Sequence, residues 1–214
     1  MRTNWKLAGV SLAVGITAIL VAAPHPALAE KHKKEGAASA TATGAKGDSA
    51  QDAMMAEMMK YATPGPAHQK LKNLVGKWKA VTKSWMGPGD PQVSEGEVEY
   101  RMVLGGRYLD ETYKGTMMGQ PFEGHGMTGF DNRKQQYWNF WVDNMSTGGM
   151  QMMGTANEVG DEITFTGTGE GPDGNPMQYK TVMKLMDPNK HVFSMYGVMG
   201  DKEMEVMEVT YTRR

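Results

Sequence analysis

From Gly76 to the C-terminus the sequence predicts an all-β domain, an antiparallel up-and-down barrel of about ten strands entered through short N-terminal helices. Three observations predict it. Apolar and β-branched residues alternate with polar ones in short runs of period two. Turn-forming clusters separate the runs: GPGDP at 87–91, FDNRK at 130–134, GPDGNP at 171–176 and DPNK at 187–190. No segment of helical period lies among them, which argues against a parallel βαβ arrangement. Strands are expected to begin near Lys77, Val93, Arg107, Phe122, Gln135, Gly148, Glu162, Gln178, His191 and Glu203.

The elements before the barrel follow in order. Residues 1–29 read as a signal peptide: Arg2 and Lys6 precede a largely apolar run from Leu7 to Ala23, and Ala27-Leu28-Ala29 offers a small-x-small cleavage site, so the mature chain is expected to start at Glu30. That places the protein in the periplasm or outside the cell, with no membrane attachment after cleavage. Residues 30–61 read as a linker carrying a short Met-rich helix. Up to residue 50 the linker is small, polar and charged with no apolar face, the composition of a disordered segment. Over 51–61, Met54, Met55, Met58 and Met59 fall on one side of a helix. Pro64 and Pro66 punctuate the chain, and residues 66–75 read as a second short helix ending at Gly76. The barrel domain is taken as 62–214, enough chain for one core.

Composition excludes several classes. With no cysteine there is no thiolate nucleophile, disulfide or cysteine-ligated metal, and no lipid anchor of the bacterial lipoprotein kind. Lys and Arg number 23 against 24 Asp and Glu, a net charge of −1, and no clustered basic face points to nucleic acid. GxSxG, HExxH and calcium-loop patterns are missing, and carboxylate pairs such as Glu97/Glu99 and Glu203/Glu205 read as solvated strand faces. GHGMTG at 124–129 matches a phosphate-loop pattern but opens no helix.

Six spaced signatures remain: GKW at 76–78, LGGRYL at 104–109, QPFEGHG at 120–126, FDN at 130–132, WVDNMSTG at 141–148 and YTR at 211–213. Together they resemble a bacterial secreted family catalogued as domain of unknown function 1579, and the resemblance attaches no reaction to the chain. The GxW-like start after a short helix is more distantly similar to lipocalin-like barrels, which implies that Trp78 plugs one end.

Candidate site residues come next. In QQYWNFWVDN (135–144), Tyr137, Asn139, Trp141 and Asp143 share one face, whose mixture of aromatic bulk and placed polar groups suits a ligand wall. The competing reading packs Tyr137 and Trp141 on the outer surface. Arg107, after Gly105 and Gly106, could be aimed into a barrel mouth to hold an anion, or could pair structurally with Asp131, Asp143 or Glu123. His125 and His191 are the candidate ligands for a metal or haem iron. Secreted haem-binding barrels of the nitrobindin type use a late-strand histidine, which makes His191 the test position, although Lys79 and Ala80 depart from the GxWxGxG start of that group.

Methionine is the outlier, 21 residues in 214. Thioethers suit Cu(I), so Met54, Met55, Met58 and Met59 are candidate copper ligands, with docking over the barrel mouth as their alternative. The barrel methionines read as adaptable core filler. Trp78, Arg107, Tyr137, Trp141 and Asp143 are therefore expected to line or gate a cavity for a small, partly apolar ligand. A Met-based copper carrier is the alternative, with a haem barrel or an enzyme behind it.

Overall fold

In a computed structural model, described over residues 45–85, 87, 89–171 and 174–214, ten antiparallel strands close a barrel in sequence order. They are β1 (Gly76–Ser84), β2 (Gln92–Val103), β3 (Tyr108–Met117), β4 (Gln120–Asp131), β5 (Gln136–Asp143), β6 (Met150–Ala156), β7 (Glu162–Glu170), β8 (Pro176–Asp187), β9 (Lys190–Met199) and β10 (Lys202–Arg213). β1 pairs with both β2 and β10, so no edge is left unpaired. Each strand starts within two residues of its expected position. The expected signal peptide and the linker up to residue 44 lie outside the described residues.

Two helices, α1 (Ala45–Ala62) and α2 (Pro66–Lys72), precede the barrel. α1 begins at Ala45 rather than residue 51, so the last part of the expected linker is helical. α2 stops at Lys72, before the expected residue 75, and Asn73 and Leu74 continue as a turn bonded back to Lys70 and Leu71. No described helix is long and apolar enough to cross a membrane.

α2 closes one end of the barrel. Its Leu71, with Leu74 just beyond, is fully buried, and its His68 meets Phe130 edge-on at 6.0 Å. Below them Trp78, 2% exposed, donates its indole N–H to the Leu74 carbonyl at 2.8 Å. Arg213 covers the Trp78 ring at 4.2 Å and donates to three carbonyls, Asn73 (2.8 Å), Val75 (2.7 Å) and Pro188 (2.9 Å). A guanidinium suits this place because its planar fork reaches several acceptors while stacking on an indole, and the carbonyl end of a helix attracts cations. Gly76 adopts a left-handed φ of 133° under that fork, where a Cβ would lie 2.7 Å from the Arg213 Nη1.

The methionines of α1 do not dock over the mouth, which corrects that expectation. The end of α1 is held at the β4–β5 turn, where Asn132 donates to the Tyr61 and Thr63 carbonyls and Arg133 sits 4.1 Å over the Tyr61 ring. That turn belongs to the α2-covered end, opposite the mouth. Met54, Met55, Met58 and Met59 stay 50–62% exposed.

Candidate ligand-binding cavity

Strand alternation sends one residue in two into the barrel. The interior is incompletely filled, leaving a cavity of about 290 Å³ at the lower edge of the ~300–1,000 Å³ usual for small-molecule sites. It runs from a floor at Tyr100, His191 and Tyr211 to an upper wall of Ser94, Thr116, Met117, Asp143 and Met145 near the β3–β4 and β5–β6 connections. Phe122, Phe165, Phe193 and Trp141 supply aromatic wall, and Met150, Met152, Met183, Met195 and Met207 join Met117 and Met145 around it. Met207 shares the inward parity of Val209 and Tyr211, and the bulge between Glu205 and Met207 lies just beyond it, with Met204 exposed past the bulge. These barrel methionines are the flexible, polarizable walls of a cavity rather than the filler of a solid core.

Trp141 explains two of the sequence signatures together. Its indole lies flat against β4 over Gly124 and Gly126, where a Cβ would come within 2.1 Å and 3.1 Å of the ring. The EGHG segment thus keeps its inward positions bare so that the tryptophan of WVDN can lie on them. The Trp141 N–H donates to Asp143 at 2.9 Å, and the other Asp143 oxygen accepts from the Met145 N–H. Asn144 then ties the β5–β6 loop to β4 by accepting from the Glu123 N–H and donating to the Pro121 carbonyl.

The polar groups on the interior carry the electrostatics. Glu111 follows Leu109 and precedes Tyr113 on the inward face of β3. It lines the cavity and is partly buried. Tyr100 donates to its carboxyl at 3.2 Å, the one hydrogen bond that reaches it among the described residues. Desolvation pushes its pKa up to about 7, against the Tyr100 hydrogen bond, with a smaller push from Asp110. The rings of Tyr100 and Tyr211 lie 6.4 Å apart, and burial raises both phenols well above the usual value. His191, 1% exposed, stacks on Tyr211 at 4.2 Å and meets Trp78 edge-on at 4.5 Å. Neither of its ring nitrogens has a hydrogen-bond partner. Burial, with the nearby Arg213 charge, lowers its pKa to about 3, so the ring is neutral. The described lining contains no Lys or Arg.

The residues singled out from sequence are thus dispersed. Trp141 and Asp143 line the cavity. Tyr137 shares their inward face, buried against Phe130 at 4.8 Å toward the closed end. Trp78 lies under the floor, beneath His191. Arg107 must be corrected. The left-handed turn through Leu104, Gly105 and Gly106 folds its guanidinium back onto the Leu104 carbonyl at 3.0 Å, away from the cavity and from Asp131, Asp143 and Glu123. His125 is exposed on the outer face while His191 is sealed inside, so the two cannot share a metal. Among the described residues no cluster of three or more His, Asp or Glu is placed to hold an ion. A haem iron would need an open histidine nitrogen, and both nitrogens of His191 are enclosed by protein, so the residues as arranged do not fit that group.

Glu111, Tyr100, Tyr113 and Tyr211 were not singled out from sequence. The signal was there in β3, where Leu109, Glu111 and Tyr113 share a parity.

Comparison with known proteins bears on the fold. The crystal structure of Rv2717c from M. tuberculosis is similar at a TM-score of 0.54 and 18% identity, over 71% of this chain and 99% of that one. The S-type phycobiliprotein lyase CPES from Guillardia theta matches at a TM-score of 0.46 and 9% identity, over 71% and 98%. At 18% identity the likeness to Rv2717c concerns fold alone. No curated protein matches the sequence. The family model described as protein of unknown function DUF1579 matches residues 63–213, from just before α2 to Arg213, and the chain belongs to that family.

Proposed function

We propose that this protein is an exported small-molecule-binding barrel whose ligand sits inside the cavity between the Tyr100–His191–Tyr211 floor and the Asp143–Met145 rim. One observation carries the reading: the barrel keeps an apolar, aromatic and methionine-lined space, with Glu111 and His191 left short of partners in it. A domain built only for stability would fill such a space, because voids and unpaired buried polar groups both destabilise. Export rests on the leader-like residues 1–29 and predicts a mature protein beginning at Glu30.

Native mass spectrometry of the protein purified from its own host's envelope tests both parts. The denatured mass is expected to start at Glu30, and the native mass to exceed it by a non-covalent adduct. A bare native mass equal to the denatured one would count against a tightly held ligand, and an intact leader would overturn the export assignment.

A second reading has its own observation. Met54, Met55, Met58 and Met59 project from α1 into solvent, where packing does not account for them, and paired thioethers suit Cu(I). Cu(I) uptake that disappears on deletion of residues 51–61 would favour a carrier role for this helix. Uptake unchanged by the deletion would remove it.

A further inference from the structure

We infer that the ligand is an organic ammonium compound, a cationic nitrogen on an apolar body, with its charged end seated against Glu111 and Trp141. The inference rests on the cavity reading above and names its ligand class.

The geometry comes from one row of the wall. β2, β3, β4, β5 and β6 place Tyr100, Glu111, Gly126, Trp141 and Met150 side by side in register. Gly126 is the bare position in that row. An added Cβ there would lie 3.0 Å from the Glu111 Oε2 and 3.1 Å from the Trp141 ring, so carboxyl and indole converge over the glycine. A carboxyl beside an aromatic face is a cation-recognition pair: one supplies charge, and the other the negative face of its quadrupole. Tyr100 fixes one carboxyl oxygen and leaves the second able to accept from a ligand N–H.

The charge balance of the cavity points the same way. Among the described residues its lining holds Glu111, Asp143 and a neutral His191, with Tyr100 and Tyr211 kept protonated by burial, and no Lys or Arg. Asp143 already spends its two oxygens on Trp141 and Met145, so Glu111 is the acid with capacity to spare. An anionic head would meet two acids and no compensating base. His191 is an independent sign that polar chemistry is expected at the floor, since it lines the cavity, is all but fully buried and lacks a partner at both nitrogens.

Protonation of Glu111 sets a pH signature. The groups acting on it are Tyr100 from β2, Tyr211 from β10 and Asp110 on its own strand, and burial keeps both phenols protonated. An alkylammonium stays charged throughout, so its binding should strengthen as pH rises through about 7.

The test is calorimetric titration of the mature protein with three eight-carbon probes of one length: octylammonium, octanol and octanoate. The expected order at pH 8 is octylammonium at least tenfold tighter than octanol, and octanoate weakest. Glu111→Gln, checked for fold by circular dichroism, should remove the octylammonium preference and its pH dependence while leaving octanol within about twofold. Octanol or octanoate binding as well as octylammonium would overturn the ammonium assignment and leave the apolar cavity standing. No binding of any of the three would overturn both. If Glu111→Gln does not fold, octylammonium affinity that fails to rise between pH 5.5 and 8 in the wild type overturns the assignment by itself.

Discussion

The two ends of this barrel are built on opposite rules. At the closed end the polar groups of the plug are answered. The Trp78 N–H finds Leu74, the Arg213 fork finds three carbonyls, and α2 covers what remains. Toward the mouth the wall withholds side chains, with glycine at two positions of β4, methionine around the rim, and Glu111 with one hydrogen bond. The contrast separates what holds the barrel shut from what it is kept open for. Full burial and satisfied polar groups mark stability, while a lined void with underused polar atoms marks a site.

Substitutions at the closed end should register in stability. Trp78→Ala is expected to lose about 3–5 kcal/mol, since it removes a fully buried indole under Arg213. Chemical denaturation measures this, and a loss below about 1 kcal/mol would break the distinction between the ends. Arg213→Met should lose about 2 kcal/mol by freeing three carbonyls, and Arg213→Lys should recover little of it, because an ammonium cannot span them or stack on Trp78.

The wall nearer the mouth should behave differently. Glu111 has a folded pKa of about 7 against an ordinary value of 4.5. A carboxyl raised in the fold contributes full stability below about 4.5 and loses it as pH rises through about 7, because the folded state holds the proton longer. Glu111→Gln should therefore stabilise the unliganded protein at pH 8, by on the order of 2 kcal/mol, and change little at pH 4. His191 has the opposite sign. Its depressed value means stability is lost as pH falls from 6.5 toward about 3, so the wild-type optimum should sit at mildly acidic pH. The two slopes oppose each other between about 4.5 and 6.5, so Glu111→Gln is needed to separate them, and a variant whose stability falls from pH 5 to 8 as the wild type does would contradict the Glu111 assignment. Trp141→Ala should cost about 1 kcal/mol, well under Trp78→Ala, yet weaken ligand binding about tenfold, because its ring already borders empty space. Replacing Met54, Met55, Met58 and Met59 together by Gln should stay within about 0.5 kcal/mol, as befits residues at least half exposed.

What the sequence made legible follows the same division. Strand positions and antiparallel closure could be read because alternation and turn chemistry are local, whereas the alternation of β5 separates two faces without saying which points inward, and an end position for Trp78 came only from the lipocalin-like resemblance. Arg107 was misplaced because a double glycine says that the chain turns and not which way the next side chain leaves. Glu111 was overlooked because the expectation that strand acids face solvent, sound for Glu97 and Glu99, outweighed the parity of Leu109 and Tyr113. Arg213 lay within a quoted motif without a role, since its three acceptors are scattered along the chain from Asn73 to Pro188. The resting place of α1 depends on Asn132 and Arg133, contacts that no helical periodicity encodes.

The methionines themselves offer the most direct test of where the protein binds. With methionine methyl groups isotopically labelled, NMR titration with octylammonium, and with octanol as the uncharged control, reports from both ends of the molecule at once. The cavity assignment predicts that Met117, Met145, Met150, Met152, Met183, Met195 and Met207 shift while Met54, Met55, Met58 and Met59 do not. Shifts confined to the α1 methionines, or none in the barrel at saturating probe, would contradict the cavity as the binding site.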